Sequence, residues 1–160
     1  MLLPYHRSNF SPLPNEEAFR DAVKGLDIPE DEYMVPYAGS PDVMISEYHK
    51  EKLSEGPVAM ITVFPKGEMN MGQSLAIWFV YTLVVGFFCA YIASFALSSD
   101  TAYMQIMRLV GVTAFIGYSL ALIQNSVWYR RKWSTTFKFM FDGLIYALLT
   151  GGCFGWLWPS

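Results

Sequence analysis

The stretch that decides the fold is SLAIWFVYTLVVGFFCAYIASFAL, residues 74–97, which contains no charged side chain. At a rise of about 1.5 Å per residue, a helix of this length crosses the roughly 30 Å hydrocarbon layer of a membrane. Two further apolar stretches follow, and we place their helices at residues 103–128 and 137–158. Because 53% of all residues are apolar, lipid is the expected solvent of this half. The predicted fold class is therefore membrane all-α, with a three-helix transmembrane domain at residues 71–160.

The residues before these helices have the opposite character. Residues 1–73 contain twelve Asp and Glu against six Lys and Arg, and this acidity argues against nucleic acid as a partner. Local signals predict a small α+β domain at residues 1–70. Asn15 caps one short helix that Gly25 ends, a second helix runs from Ser40 to Gly56, and two short strands pair. Two strands and two short helices make a marginal core, so we expect this domain to lean on other structure.

The distribution of basic residues predicts the orientation. The sequence Arg130-Arg131-Lys132 joins the second and third helices, whereas the connection between the first and second helices, residues 98–101, has no cation. Basic loops stay in the cytoplasm, which places the N-terminus in the cytoplasm and the C-terminus in the periplasm. The first residues also lack the pattern of a cleaved signal peptide, in agreement with a cytoplasmic N-terminus.

Small residues recur at a spacing of four in each apolar segment, which lets helix backbones approach closely. The first segment has Gly86 and Ala90, and the second has Gly117 and Ala121. The third segment has the longest stripe, so we expect it to be the central helix. Its small residues are Gly143, Ala147, Gly151 and Gly155. The pattern leaves open whether the stripes face one another within one chain or face another chain, with the first arrangement favoured.

Four polar residues within the apolar segments form a possible intramembrane polar site: Arg108, Gln124, Asn125 and Asp142. Arg108 is close enough to the outer end of its helix to extend to the headgroups, to Asp100 or to the carboxylate of Ser160.

Asp142 follows Lys138 by four residues and lies near the basic loop, so a structural ion pair is the first interpretation. The alternative is a proton or cation site that Asp142 forms with Gln124 and Asn125, which we place at the same depth.

The sequence contains no pattern of catalytic, cofactor or metal chemistry. His6 and His49 lie outside the predicted spans, so they offer no intramembrane haem ligands. The pairs Met69–Met71 and Met104–Met107 have the spacing of soft-metal sites, but the predicted topology separates them. Cys89 and Cys153 lie inside apolar segments and suit packing. We therefore predict that the chain is no enzyme and holds no metal or cofactor.

Three stretches carry a resemblance to known sequences: PKGEMNMGQS at residues 65–74, QNSVWYRRKWSTT at residues 124–136 and DGLIYALLTGGCFGWLWP at residues 142–159. The chain resembles a group of small, uncharacterised bacterial inner-membrane proteins. The resemblance implies a bacterial inner membrane as the location and implies no activity or functional residue.

The function that these observations favour is an accessory or structural membrane component. Its expected partners are the lipid bilayer and either other membrane protein subunits or further copies of itself. The alternative is a subunit of an oligomeric transporter or channel for ions or small solutes, because three helices enclose no useful pore.

Overall fold

The structure, a computed structural model, describes residues 4–68 and 70–159. It divides into two compact units, one of residues 12–68 and one that joins residues 4–11 to residues 70–159. The sequence had placed residues 1–70 together in one domain. The structure instead groups residues 4–11 with the long helices, because their side chains bond to the third of these helices.

The unit of residues 12–68 contains three short helices and one two-stranded sheet. Helix α1 is Glu16–Lys24, strand β1 is Glu32–Val35, helices α2 and α3 are Pro41–Ile45 and Glu47–Glu55, and strand β2 is Ala59–Thr62. The strands pair antiparallel, with Met34 opposite Met60. This sheet confirms the predicted pairing, but its strands are shorter than the stretches at residues 33–37 and 58–64 that the sequence favours.

Side-chain caps explain where these helices begin. The Asn15 side chain accepts a hydrogen bond from the Ala18 amide, as predicted. The single helix expected after Ser40 is two helices, because Ser46 adopts extended backbone and caps α3 by accepting from the His49 amide. Ser, Thr, Asn and Asp compete with the helix in this way because they offer the backbone a local alternative bond.

Three long helical elements dominate the other unit: α4 (Met71–Ala96), α5 (Tyr103–Ser119) together with α6 (Ile123–Trp128), and α7 (Trp133–Leu157). The predicted second helix is thus interrupted by a 3-10 turn at Leu120–Leu122, although residues 103–128 still form one span-length element. All three elements are long and apolar enough to cross a membrane.

The third helix begins four residues earlier than predicted. The sequence Ser134-Thr135-Thr136 is typical of a loop, but Thr135 and Thr136 are both buried in α7. The Thr136 hydroxyl lies 2.7 Å from the Ser126 hydroxyl of α6, so its hydrogen-bonding capacity is used inside the bundle. A partner from another helix therefore overrides the local preference of these residues.

Helix α5, rather than α7, is the central helix, because it packs against both α4 and α7. On the α7 side, the predicted stripe lies at the closest contact. Gly143, Ala147 and Gly151 are buried, and a methyl group added at Gly151 would lie 2.8 Å from the Met107 carbonyl oxygen. A methyl group at Gly155 would lie 2.7 Å from the Tyr103 ring.

The stripe of Gly86 and Ala90 on the first helix does not lie at a helix contact within the described residues. Ala90 is exposed, and a methyl group at Gly86 would meet nothing within 4 Å. The residues that α4 buries lie one position earlier: Val85, Cys89 and Ala93. Small residues permit a close approach but do not require it, and the larger Val85 side chain on the adjacent face can make more dispersion contacts.

The predicted stripe on the second helix is only partly at a contact. Ala121 is exposed and lies in the 3-10 turn after α5. A methyl group at Gly117 would lie 3.3 Å from Val85, and the Gly117 carbonyl oxygen accepts a hydrogen bond from the Tyr81 hydroxyl. The buried face of α5 is instead formed by Ile106, Val110, Ala114 and Ser119.

Candidate functional site

The N-terminal 3-10 helix, Pro4–Asn9, lies along the first half of α7. Three contacts define its course: Ser11 bonds to Lys132, Ser8 bonds to Lys138, and Tyr5 bonds to Asp142. Residue numbers rise along the segment while they fall along α7, so the two run antiparallel. We call Tyr5, His6, Asn9, Lys138 and Asp142 the N-terminal polar cluster.

Asp142 is the centre of this cluster. The Tyr5 hydroxyl donates to its Oδ1, and His6 Nε2 lies 2.6 Å from its Oδ2. The Asp142 side chain is 13% exposed. Nine residues separate it from Trp133 at the start of α7, which is about 13 Å along a helix. The carboxylate therefore lies about two and a half turns inside α7, and two polar groups from the N-terminal segment satisfy its oxygens.

The His6 imidazole is held on both nitrogens and on one face. Nε2 faces Asp142, and Nδ1 lies 2.9 Å from Asn9 Nδ2. The ring packs against Phe139, with 4.9 Å between the ring centroids, and the Arg131 guanidinium lies over the same phenyl ring. His6 is 5% exposed. These contacts fix the position and the plane of the imidazole.

Lys138 does not make the ion pair with Asp142 that its spacing predicts. Its ammonium donates to the Tyr5 carbonyl oxygen at 2.9 Å and to the Ser8 hydroxyl at 2.6 Å. In the part of the chain that the structure describes, no Lys or Arg nitrogen lies within 4.0 Å of the Asp142 carboxylate. The two groups are on the same face of α7, but the backbone and the hydroxyl of the N-terminal segment occupy the ammonium.

The structure does not bring Gln124 and Asn125 to Asp142. Gln124 is exposed, and the Asn125 carbonyl oxygen accepts from the amides of Tyr129 and Arg131 at the end of α6. Neither side chain hydrogen-bonds to Asp142 within residues 4–68 and 70–159. Equal depth was the basis of this prediction, but depth alone does not determine the face of a helix on which a side chain lies.

Arg108 is exposed on α5 and makes no ion pair with Asp100 among the described residues. The Ser98 hydroxyl donates to Asp100 instead, and this bond lowers the pKa of that carboxyl below its ordinary value. The other partner considered for Arg108, Ser160, lies outside the described residues.

The remaining candidates for metal or thiol chemistry are separate from the cluster. Within the described ranges, no three His, Cys, Asp or Glu side chains are grouped to hold a metal ion. Met69, of the predicted methionine pair, lies outside the described residues. Cys89 is buried beside the Val110 carbonyl oxygen, and Cys153 is exposed on α7. The free thiols therefore do not meet.

Sequence reasoning missed Tyr5, His6 and Asn9 as partners of Asp142. One signal was available, because a carboxylate inside an apolar segment needs a polar partner from somewhere in the chain. That partner is 136 residues away in the case of His6, and no local spacing points to it.

No family model matches this chain, and no curated protein or solved structure matches it.

Proposed function

We propose that this protein is an accessory membrane component, in which three membrane-spanning helices anchor residues 12–68 as a module that binds a partner protein. Helices α4 and α7 and the α5–α6 element are 25 or 26 residues long, enough to cross a bilayer with some tilt. Their outward side chains are large and apolar, for example Phe79, Phe87 and Phe95. An exterior of this kind requires lipid or another apolar surface around it.

The orientation proposed for these helices follows the positive charges. Arg130, Arg131 and Lys132 lie between α6 and α7, and we assign this connection to the cytoplasmic side. Residues 12–68 then also lie in the cytoplasm, and the end of α7 lies in the periplasm. The resemblance to bacterial inner-membrane proteins supports that membrane as the location.

The observation that carries the proposed binding role is the absence of an apolar core in the described residues 12–68. Every apolar side chain there is exposed or only partly covered, and this stretch has twelve Asp and Glu against five Lys and Arg, a net charge of −7. An isolated two-stranded sheet with short helices has little stability of its own. Burial against another protein with a basic surface would supply the missing apolar contacts and balance the charge.

The two-stranded sheet offers the most specific contact surface in this module. Met34 and Met60 lie directly opposite each other in the register and are both exposed. The sheet has two strands, so each strand also has an unpaired edge. A partner could cover the methionine pair and add hydrogen bonds along one edge.

The test is purification of the tagged full-length protein from its native membrane in mild detergent, with mass spectrometry of proteins that accompany it in fixed proportion. We expect a stoichiometric partner that the double variant Met34→Thr/Met60→Thr no longer retains. Threonine keeps the strand preference and removes the apolar contact.

The matched control is Thr62→Ser, a small change on the same face of the sheet, which should retain the partner. A well-folded native protein that purifies alone contradicts the proposal. If the methionine variant still retains the partner, this face of the sheet is excluded as the contact.

A second candidate function, a subunit of an ion or solute transporter, is favoured by the depth of Asp142. Ionisable residues inside a membrane mark transport pathways more often than chance, and the pathway would have to form between several copies of this chain. An ion or solute flux into liposomes that contain the native protein would support this candidate if it is lost with Asp142→Asn. The absence of any flux from the native protein would remove it.

A further inference from the structure

One tautomer of His6 fits the hydrogen bonds around its ring. Asn9 Nδ2 can donate but cannot accept, so the nearby His6 Nδ1 accepts a hydrogen bond from it. The ring hydrogen of the neutral imidazole therefore lies on Nε2, where it is donated to Asp142 Oδ2. In this state the Nδ1 lone pair accepts from the Asn9 amide, and the same amide could instead present its oxygen to Nδ1.

The Asn9 carboxamide has one unused atom. Asn9 is 7% exposed, and its buried Oδ1 has no hydrogen-bond partner. Buried polar atoms without partners are uncommon in proteins and call for an explanation. A half-turn of the amide exchanges Oδ1 with Nδ2 and directs Oδ1 at His6 Nδ1. That orientation forms a hydrogen bond only when Nδ1 carries a proton.

The charges around the imidazole also leave a place for this proton. Asp142 is held by Tyr5 and His6, and in the described parts of the chain no Lys or Arg nitrogen lies within 4.0 Å of its carboxylate. The cations around this contact are otherwise engaged: Lys138 of α7 donates to the Tyr5 carbonyl oxygen and the Ser8 hydroxyl, and Arg131, which precedes α7, lies over the Phe139 ring. A buried carboxylate is costly without an opposite charge, and an imidazolium at His6 would supply it.

We propose that His6, Asn9 and Asp142 form a proton-binding site, in which the bound proton lies on His6 Nδ1. A hydronium ion gives its proton to the Nδ1 lone pair, so one O–H bond breaks, one N–H bond forms and water is released. The Asn9 amide then turns to accept from the new N–H. The Nε2 hydrogen stays on the bond to Asp142. No further covalent bond forms or breaks, and a neutral imidazole beside a carboxylate becomes an imidazolium between that carboxylate and an amide oxygen.

The same proton strengthens the attachment of the N-terminal segment to α7. The bond to the Asn9 oxygen becomes charge-assisted, and the bond to the Asp142 carboxylate gains a cationic donor. Charge-assisted bonds are shorter and stronger than neutral ones. His6 and Asn9 belong to the segment, whereas Asp142 belongs to α7, so the ion pair crosses between the two. This inference depends on these contacts alone and stands whether or not residues 12–68 bind a partner.

The chain has two histidines, which makes the site directly observable. In full-length protein with His49→Gln and 15N-labelled histidine, each imidazole signal in a nitrogen NMR spectrum belongs to His6. At high pH we expect the neutral form with hydrogen on Nε2 and a bare Nδ1. As the pH falls, both nitrogens should become protonated in one step while the protein stays folded.

Two variants on this background should move that step in opposite directions. Asp142→Asn removes the opposing charge and should lower the pH of the step. Asn9→Asp places a second carboxylate beside Nδ1 and should raise it. The exposed Asp100→Asn, at the other end of the helices, serves as the control and should leave the step in place.

A neutral His6 with its hydrogen on Nδ1 would overturn the proposal, because Nδ1 could not then be the vacant position. A step at the same pH in the native protein and in folded Asp142→Asn would also overturn it. If Asp142→Asn unfolds, Asn9→Asp decides the question: an upward shift supports the site, and an unchanged or lower step rejects it.

Discussion

Helix α5 packs against its two neighbours in different ways. Against α7 it contacts glycine backbone, since a methyl group at Gly151 would lie 2.8 Å from the Met107 carbonyl oxygen and 3.1 Å from the Gly111 amide nitrogen. Against α4 it contacts side chains, and Val85 would meet a methyl group at Gly117 at 3.3 Å. The comparison teaches that small residues have large effects only where backbone meets backbone, because a side chain can move and a packed backbone cannot.

The largest effect should follow Gly151→Ala in α7. Its methyl group would have to displace the backbone of α5 at Met107 and Gly111, which costs about 1–3 kcal/mol or more. Unfolding in mixed micelles of increasing denaturing detergent measures the loss. Gly152→Ala is the matched control, because its methyl group would lie an ordinary 3.7 Å from the Tyr103 hydroxyl. Equal stability of the two variants would show that the close backbone contact is not the cause.

A slightly smaller effect should follow Gly143→Ala. The added methyl group would overlap the Ser119 hydroxyl, which donates to the Met140 carbonyl oxygen, and would lie 3.2 Å from Tyr118 Cβ. We expect a loss of about 1–3 kcal/mol. Removing the hydroxyl should recover part of it, so Gly143→Ala/Ser119→Ala should be more stable than the sum of the single changes predicts. Strict additivity of the unfolding free energies would contradict this contact.

On the α4 side, Gly117→Ala should cost about 1 kcal/mol or less, because the methyl group meets only the two methyl groups of Val85. The same detergent unfolding measures this loss. In a Val85→Ala background the penalty of Gly117→Ala should disappear, since the opposing methyl groups are gone. A penalty that persists in that background would place the conflict elsewhere.

The smallest effect should follow Gly86→Ala, which changes stability by no more than about 0.5 kcal/mol because its methyl group meets nothing within 4 Å. A larger change at the same position, Gly86→Leu, tests whether this stripe of α4 contacts another copy of the chain. The measurement is the mass of the detergent-solubilised protein. If Gly86→Leu keeps the native oligomeric state, the stripe is not a contact between copies.

Much of the local structure was predictable from the sequence. An uncharged stretch at residues 74–97 has to be helical in lipid, because a helix satisfies its own backbone groups there. Asn15 and Ser40 mark helix starts, since their side chains bond to free amides of the first turn. These signals depend on residues within four positions of one another, and such signals can be read from the sequence without knowledge of the fold.

The candidate site was predictable only in part. The sequence marked Asp142 as unusual, but it suggested Lys138, Gln124 and Asn125 as its neighbours. Lys138 is on the same face and yet bonds to the N-terminal segment, and the other two lie beyond the 3-10 turn that interrupts the second helix. The neighbours of a side chain depend on how separate segments dock, and the number of possible dockings is large.

The sequence by itself determined the three apolar segments, the caps of α1 and α2 and the presence of one isolated carboxylate in α7. Only the tertiary structure decided that α4 buries Val85, Cys89 and Ala93 rather than Gly86 and Ala90, and that His6 approaches Asp142. The physical reason is the range of the forces involved. Helix formation and capping act between residues close in the chain, whereas packing and the pairing of a buried charge act between residues that are close only after folding.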